Sequence, residues 1–192
     1  MKIINSLRFA AFATLIFGCA GVAAAQGPVA NLSTTTSELE MSANVQTALQ
    51  LNISTGSGGA TVSGDNATGL FSVDFGNVNG FGLGTPEAGV SVVADGTGAT
   101  YSTPINLTPV YSGFNTETAN VTVQAGASAN QAIAREGSSA VGMSAVTTPA
   151  AVFSGAASGS NNARYVGFRI ARTEDAGAKE ATLIYTVTMA LP

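Results

Sequence analysis

Apolar and polar residues alternate with a period of two along much of the chain. In Thr118–Ala125, Ala119, Val121, Val123 and Ala125 alternate with Thr118, Asn120, Thr122 and Gln124. Near the C-terminus, Leu183, Tyr185, Val187 and Met189 alternate with Thr182, Ile184, Thr186 and Thr188. This spacing predicts strands with one face buried and the other wet. Arg164–Arg172 sets Val166, Phe168 and Ile170 on one face, with an arginine at either end of it. The polar, turn-rich stretch Thr173–Lys179 follows, so this strand and the last are expected to pair as an antiparallel hairpin.

A second hairpin is expected between Val90–Ala94 and Tyr101–Tyr111, across Asp95-Gly96-Thr97-Gly98. Pro104 and Pro109 cannot donate to a ladder, which places that strand at an edge or breaks it. Leu70–Val78 reads as a further strand running into the glycine-rich segment Gly76–Gly89. Only one short helix is suggested, over Ser128–Glu136. There Ser128 and Gln131 are spaced as a capping box and Gly137 stands as the stop. Residues 137–162 are mostly Gly, Ala, Ser and Asn and read as a surface excursion with one weak strand around Ala150–Phe153.

One alternation is unusually long. Leu39, Met41, Ala43, Val45, Thr47, Leu49, Leu51 and Ile53 alternate with Glu40, Ser42, Asn44, Gln46, Ala48, Gln50 and Asn52, without a turn signal. At about 3.3 Å per residue a single strand here would span roughly 50 Å, two to three times the usual length. Ser37 and Glu40 would also cap a helix, but a helix leaves Met41 and Leu51 on awkward faces, so strand is the reading adopted. The set Leu39, Met41, Ala43, Val45, Leu49, Leu51 and Ile53 is a candidate inter-subunit strand, because an open sheet edge can be completed by a neighbour's strand.

Many short strands separated by turns predict an all-β fold, an antiparallel β-sandwich of immunoglobulin-like or pilin-like type with room for one short helix. Residues 1–25 are set aside from it. Lys2 and Arg8 precede an apolar run from Phe9 to Phe17, and Ala23-Ala24-Ala25 ends it, the pattern of a secretory signal peptide. The run is too short to span a membrane. Cys19, the one cysteine, sits in a loose imitation of a lipoprotein acylation site, with the Ala-x-Ala site downstream the cleaner of the two. Residues 26–192 are then one domain with an N-terminal extended segment and no disulfide.

Charged residues are 9% of the chain, far below the usual quarter. Without Lys2 and Arg8, five basic and eleven acidic residues remain, a net charge of −6. Nucleic acid and anionic membranes are poor partners for such a chain. All five basic residues follow residue 134, and Arg164, Arg169 and Arg172 fall on one expected hairpin. They form a candidate basic contact patch for head-to-tail association, set against simple pairing with Glu174, Asp175 and Glu180. Valine outnumbers leucine, 16 to 9, in residues 26–192, which favours sheet.

Chemistry is sparse. With no histidine there is no Ser-His-Asp or Cys-His set and no imidazole metal site. Phosphate-binding glycine motifs are missing, and the spacing of Gly80, Gly82 and Gly84 is wrong for one. Asp95-Gly96-Thr97-Gly98 and Gly64-Asp65-Asn66 could each lend oxygens to Ca²⁺, but read equally as plain turns. No cofactor and no enzymatic activity are expected.

The run Phe71-Ser72-Val73-Asp74-Phe75-Gly76-Asn77-Val78, with a threonine-alternating last strand, resembles bacterial fimbrial subunits and spore coat protein U-type domains. That resemblance implies a secreted, periplasmic client assembled into surface fibres, with a periplasmic chaperone as a candidate partner. The expected function is a structural protein of the bacterial cell surface or matrix that self-associates as a homo-oligomer or fibre. The alternative is a monomeric binding module for carbohydrate or a surface protein. Sugar binding favours stacking platforms, and a chain with no Trp and four Tyr is poor in them.

Overall fold

The computed structural model describes residues 41–43, 46–114 and 117–190. The chain divides at Ser42, and the unit Ala43–Pro192 holds every element named here. Its strands begin with Ala48–Thr55 (β1), Val62–Asp65 (β2), Leu70–Val73 (β3), Gly76–Asn77 (β4), Thr85–Pro86 (β5) and Ser91–Ala94 (β6). Gly98–Ser112 (β7), Thr118–Ala125 (β8), Ala134–Gly137 (β9) and Ser144–Ala145 (β10) follow. Ala150–Ala156 (β11), Asn162–Ala171 (β12) and Leu183–Ala190 (β13) complete the set. Every pairing is antiparallel. The fold is all-β, as the alternation predicts.

The larger sheet runs β1-β7-β12-β9-β10, with β6 also on β7; the second runs β11-β8-β13. β2-β3 and β4-β5 are two-stranded sheets. Both larger sheets contribute to one hydrophobic cluster: Tyr101, Ile105 and Leu107 from β7, Val166 and Ile170 from β12, Val121 and Val123 from β8. The odd positions read as the inner face of Thr118–Ala125 are those in the core.

β7 is the spine of the larger sheet. Its odd positions from Ala99 to Pro109 are all buried, and fifteen residues at about 3.3 Å each make it some 50 Å long. The expected pairing of β6 with this strand holds, Ser91 to Ser102 through Ala94 to Ala99. The edge position expected from its prolines does not. β7 is central, and each proline lies where one ladder has a gap. In an antiparallel strand the N–H and C=O of one residue point the same way. The Pro104 carbonyl accepts Gly56 N–H at 3.1 Å on the flank where β1 leaves and β6 has yet to begin. The Pro109 carbonyl accepts Gly159 N–H at 2.8 Å on the opposite flank, beyond the start of β12. Neither missing amide would have had a strand partner.

The gap on the first flank is filled by a side chain. Thr103 Oγ1, fully buried, accepts Ala60 N–H at 2.7 Å and donates to Gly89 O at 3.1 Å. Gly89 has φ +85°, and a Cβ there would run into the Gly59 and Ala60 backbone. Only glycine allows that approach.

Several expectations are corrected. β12 and β13 do not form a hairpin: β12 pairs with β7 and β9, β13 with β8, so residues 172–182 cross between the sheets. The strand expected over Leu39–Ile53 begins at Ala48, and the described residues before it are not strand; Leu39, Glu40, Asn44 and Val45 lie outside the described residues. Leu70–Val78 is two short strands, β3 and β4, in separate sheets. The helix over Ser128–Glu136 reduces to one 3₁₀ turn, Gln131–Ile133, and no α-helix occurs among the described residues. Ser128 and Gln131 do not cap it. Ser128 Oγ meets Thr182 Oγ1 at 2.8 Å and Gln131 Oε1 accepts Thr182 N–H at 2.9 Å, so both hold the start of β13. Residues 137–162 are more ordered than a surface excursion, carrying β10, a seven-residue β11 and the buried Val146 and Val152.

Candidate functional site

An apolar cleft of about 1180 Å³ opens between the sheets on the side of β13. Leu51 and Ile53 on β1 and Leu183 and Tyr185 on β13 line it, over a floor that includes Ile105 and Val166. β1 and β13, each at the edge of its own sheet, come into contact across it. The β3–β4 segment forms another wall, fixed by Phe75, whose ring meets Phe168 edge-on at 4.9 Å. Large apolar side chains stand at the mouth: Leu70 is 74% exposed and Phe81 54%. Phe81 is held there by the Arg172 guanidinium, 5.1 Å from the ring centroid.

The backbone of β13 adds a second feature. Gly126 N–H donates to Thr182 O at 2.8 Å, in register with the β8–β13 ladder. Even-numbered residues of β13 therefore bond β8, and Leu183, Tyr185, Val187 and Met189 direct their N–H and C=O groups outward. Among the described residues no backbone group accepts or donates on that side. Edge strands are usually blunted by bulges, shortness, proline or charge. β11 has two register shifts and β10 only two residues. β13 pairs over eight residues without a shift and carries neither proline nor charge.

A buried polar group braces the inner wall. Arg164 meets Glu136 through Nε–Oε1 at 2.7 Å and Nη2–Oε2 at 2.8 Å, and its Nη1 donates to Val152 O at 3.4 Å. It thus ties β12 to β9 and, across the core, to β11. The Tyr185 ring borders the cleft, but its hydroxyl is buried without a partner among the described residues. Burial pushes this phenol far above its ordinary range; nearby Glu136 adds to the shift and Arg164 opposes it.

The three arginines do not make one patch. Arg164 is spent on Glu136. Arg169, of opposite parity on β12, binds Asp95 through Nη2 at 2.7 Å and also reaches Thr97 and Thr100. Arg172 donates to Asp95 O at 2.9 Å and covers Phe81. None pairs with Glu174, Asp175 or Glu180; Glu174 pairs with Lys179 at 2.7 Å. The two turns weighed for calcium are closed by the chain itself. Asp95 Oδ1 accepts Thr97 N–H, Thr97 Oγ1–H and Gly98 N–H while Arg169 bridges both oxygens, and Asp65 Oδ1 accepts Thr68 N–H and Oγ1–H. Among the described residues no three acids or cysteines gather to hold a metal.

Of the candidate inter-subunit strand, Leu51 and Ile53 line the cleft and Leu49 sits beside them on β1, 39% exposed. Met41, 86% exposed, and Ala43 precede the strand; Leu39 and Val45 lie outside the described residues. The cleft itself had one sequence signal, the long regular alternation of Leu183–Met189 with no charge or proline. Compared with protein-family models, curated proteins and solved structures, the chain matches none.

Proposed function

We propose that this chain is a secreted, non-enzymatic structural protein of the bacterial cell surface that self-associates by strand addition. The observation that carries the reading is the unblunted outer edge of β13 beside an open apolar cleft. An extended segment bonded along that edge would satisfy the outward backbone groups and place alternate side chains in the cleft. The occupant is the segment before β1 of a second copy. From Ser33 to Thr55 the chain has no Gly or Pro, so it lacks the two strongest signals for a reversal onto its own β13. Seated as a strand, Leu39, Met41, Ala43 and Val45 would share one face of that segment, and Met41 is exposed. A ligand-binding module is the second reading, since the cleft is apolar and somewhat larger than an ordinary ligand pocket; the unpaired edge favours a strand over a small molecule.

Sedimentation and negative-stain microscopy of residues 26–192 test this. Fibres or higher oligomers are expected, abolished by deleting residues 26–45. Met41→Asp should weaken assembly by at least ~10-fold, as expected for burying a charge, and Ser42→Asp much less. A protein that stays monomeric at high concentration, unaffected by the deletion, would exclude the reading.

A further inference from the structure

The rim of the cleft carries a charge that its proposed occupant shares. Six charged side chains line it: Asp74 from the β3–β4 turn, and Arg172, Glu174, Asp175, Lys179 and Glu180 from the crossing between β12 and β13. Lys179 is taken up by Glu174. Arg172 is engaged with Phe81 and the Asp95 carbonyl. Asp74, Asp175 and Glu180 are exposed and meet no cation among the described residues, where Asp74 Oδ1 accepts the Gly76 amide. β1 and β13 bring no charged group to the lining, and Tyr185 stays neutral. In the segment before β1 the charged residues from Gln26 to Thr47 are Glu38 and Glu40, with no Lys or Arg. The apolar set Leu39–Val45 lies directly beside them, so seating it brings both glutamates to an acidic mouth.

We infer that the acidic mouth is an electrostatic brake on self-association, released by salt; this rests on the strand-addition reading above. An apolar cleft walled by low-dielectric side chains focuses the field of its rim charges, and like charges at an encounter site slow association more than they weaken the final contact. The repulsion acts between solvated carboxylates, so it fades when the Debye length falls from about 30 Å at 0.01 M to below 10 Å above 0.1 M. Subunits would stay apart in dilute medium and assemble when ionic strength rises.

The test is the association rate of residues 26–192, followed by light scattering from 10 mM to 500 mM NaCl. The expected rise is about 10-fold or more, within the range typical of steered encounters. Glu38→Gln/Glu40→Gln in the segment, or Asp175→Asn/Glu180→Gln at the mouth, should each speed low-salt association by ~3-fold or more. Combining the two pairs should give little beyond either alone, because neutralising one side already removes the repulsion. Glu87→Gln, an exposed acid that does not line the cleft, controls for overall charge and should change little. Assembly that is insensitive to salt, or that responds to Glu87→Gln as to the mouth variants, or strictly multiplicative effects of the two pairs, would overturn the brake and leave strand addition standing. No association under any of these conditions would remove strand addition, and the brake with it.

Discussion

Arg164 grips Glu136 with two parallel hydrogen bonds of 2.7 and 2.8 Å, and the two side chains are only 15% and 6% exposed. A charge this buried is tolerable only while its partner is present. The pair stands where β9, β12 and β11 meet, behind the wall of the cleft. Arg164→Ala or Glu136→Ala should each cost about 3–5 kcal/mol, since each leaves an uncompensated buried charge. Arg164→Met with Glu136→Leu should lose far less than the sum of the singles. Urea unfolding of the four proteins checks this.

A smaller clamp fixes the turn that presents Phe81. The hydroxyl of fully buried Tyr101 donates to Asn79 O at 2.8 Å and accepts Asn79 N–H at 3.1 Å. Asn79 Oδ1 in turn accepts the amides of Phe81 and Leu83. Tyr101→Phe keeps the core ring but strands both backbone groups, an expected loss of about 1–3 kcal/mol. Amide exchange at Asn79, Phe81 and Leu83 should accelerate before the β8 amides change.

Acid stability should depend on Asp95. Its hydrogen bonds from Arg169, then from Thr97, hold its carboxyl well below the usual carboxylate range. A depressed carboxyl stabilises the fold above its unfolded pKa and loses that contribution as pH falls through the folded value. The loss therefore begins near pH 4 and grows with further acidification. Asp95→Asn should flatten that part of the stability-pH curve and lower stability at neutral pH, with Arg169→Gln behaving alike. Thermal melts between pH 2 and 7 would reveal it.

Strands with a regular alternation were legible in the sequence: Thr118–Ala125 is β8 to the residue, and the alternation over Thr182–Met189 falls within one residue of β13 at each end. Strand partners were not, because alternation says which face is buried and nothing of which sheet. The turn-rich Thr173–Lys179 suits a hairpin, yet the crossing it belongs to leads into the other sheet. A 50 Å strand was expected over Leu39–Ile53 and found over Gly98–Ser112. Pro104 and Pro109 hid it, because the bar on proline in central strands applies only where the missing amide would face a partner. Ala150–Ala156 was understated because Ala, Gly and Ser carry too little hydropathy contrast to show a period. The cleft is assembled from β1, β3, β7, β12 and β13, and no local pattern announces so distant a convergence.

The open edge of β13 offers a test in which two neighbouring positions should behave oppositely. Val187 directs its N–H outward and Thr186 directs its own toward β8, by the parity that Thr182 sets. Proline at 186 removes a ladder donor and strands its acceptor on Thr122, an expected loss of about 1–3 kcal/mol. Proline at 187 removes only a donor that no described residue uses, as edge strands tolerate. Val187→Pro should therefore fold with most of its stability and yet add no strand, because the incoming backbone meets a ring where it needs an amide. Val187→Thr, close in shape, separates lost side-chain packing from the lost donor and should still assemble. Unfolding curves read with sedimentation decide it. If Val187→Pro assembles as well as the parent protein, the edge of β13 is not where copies join.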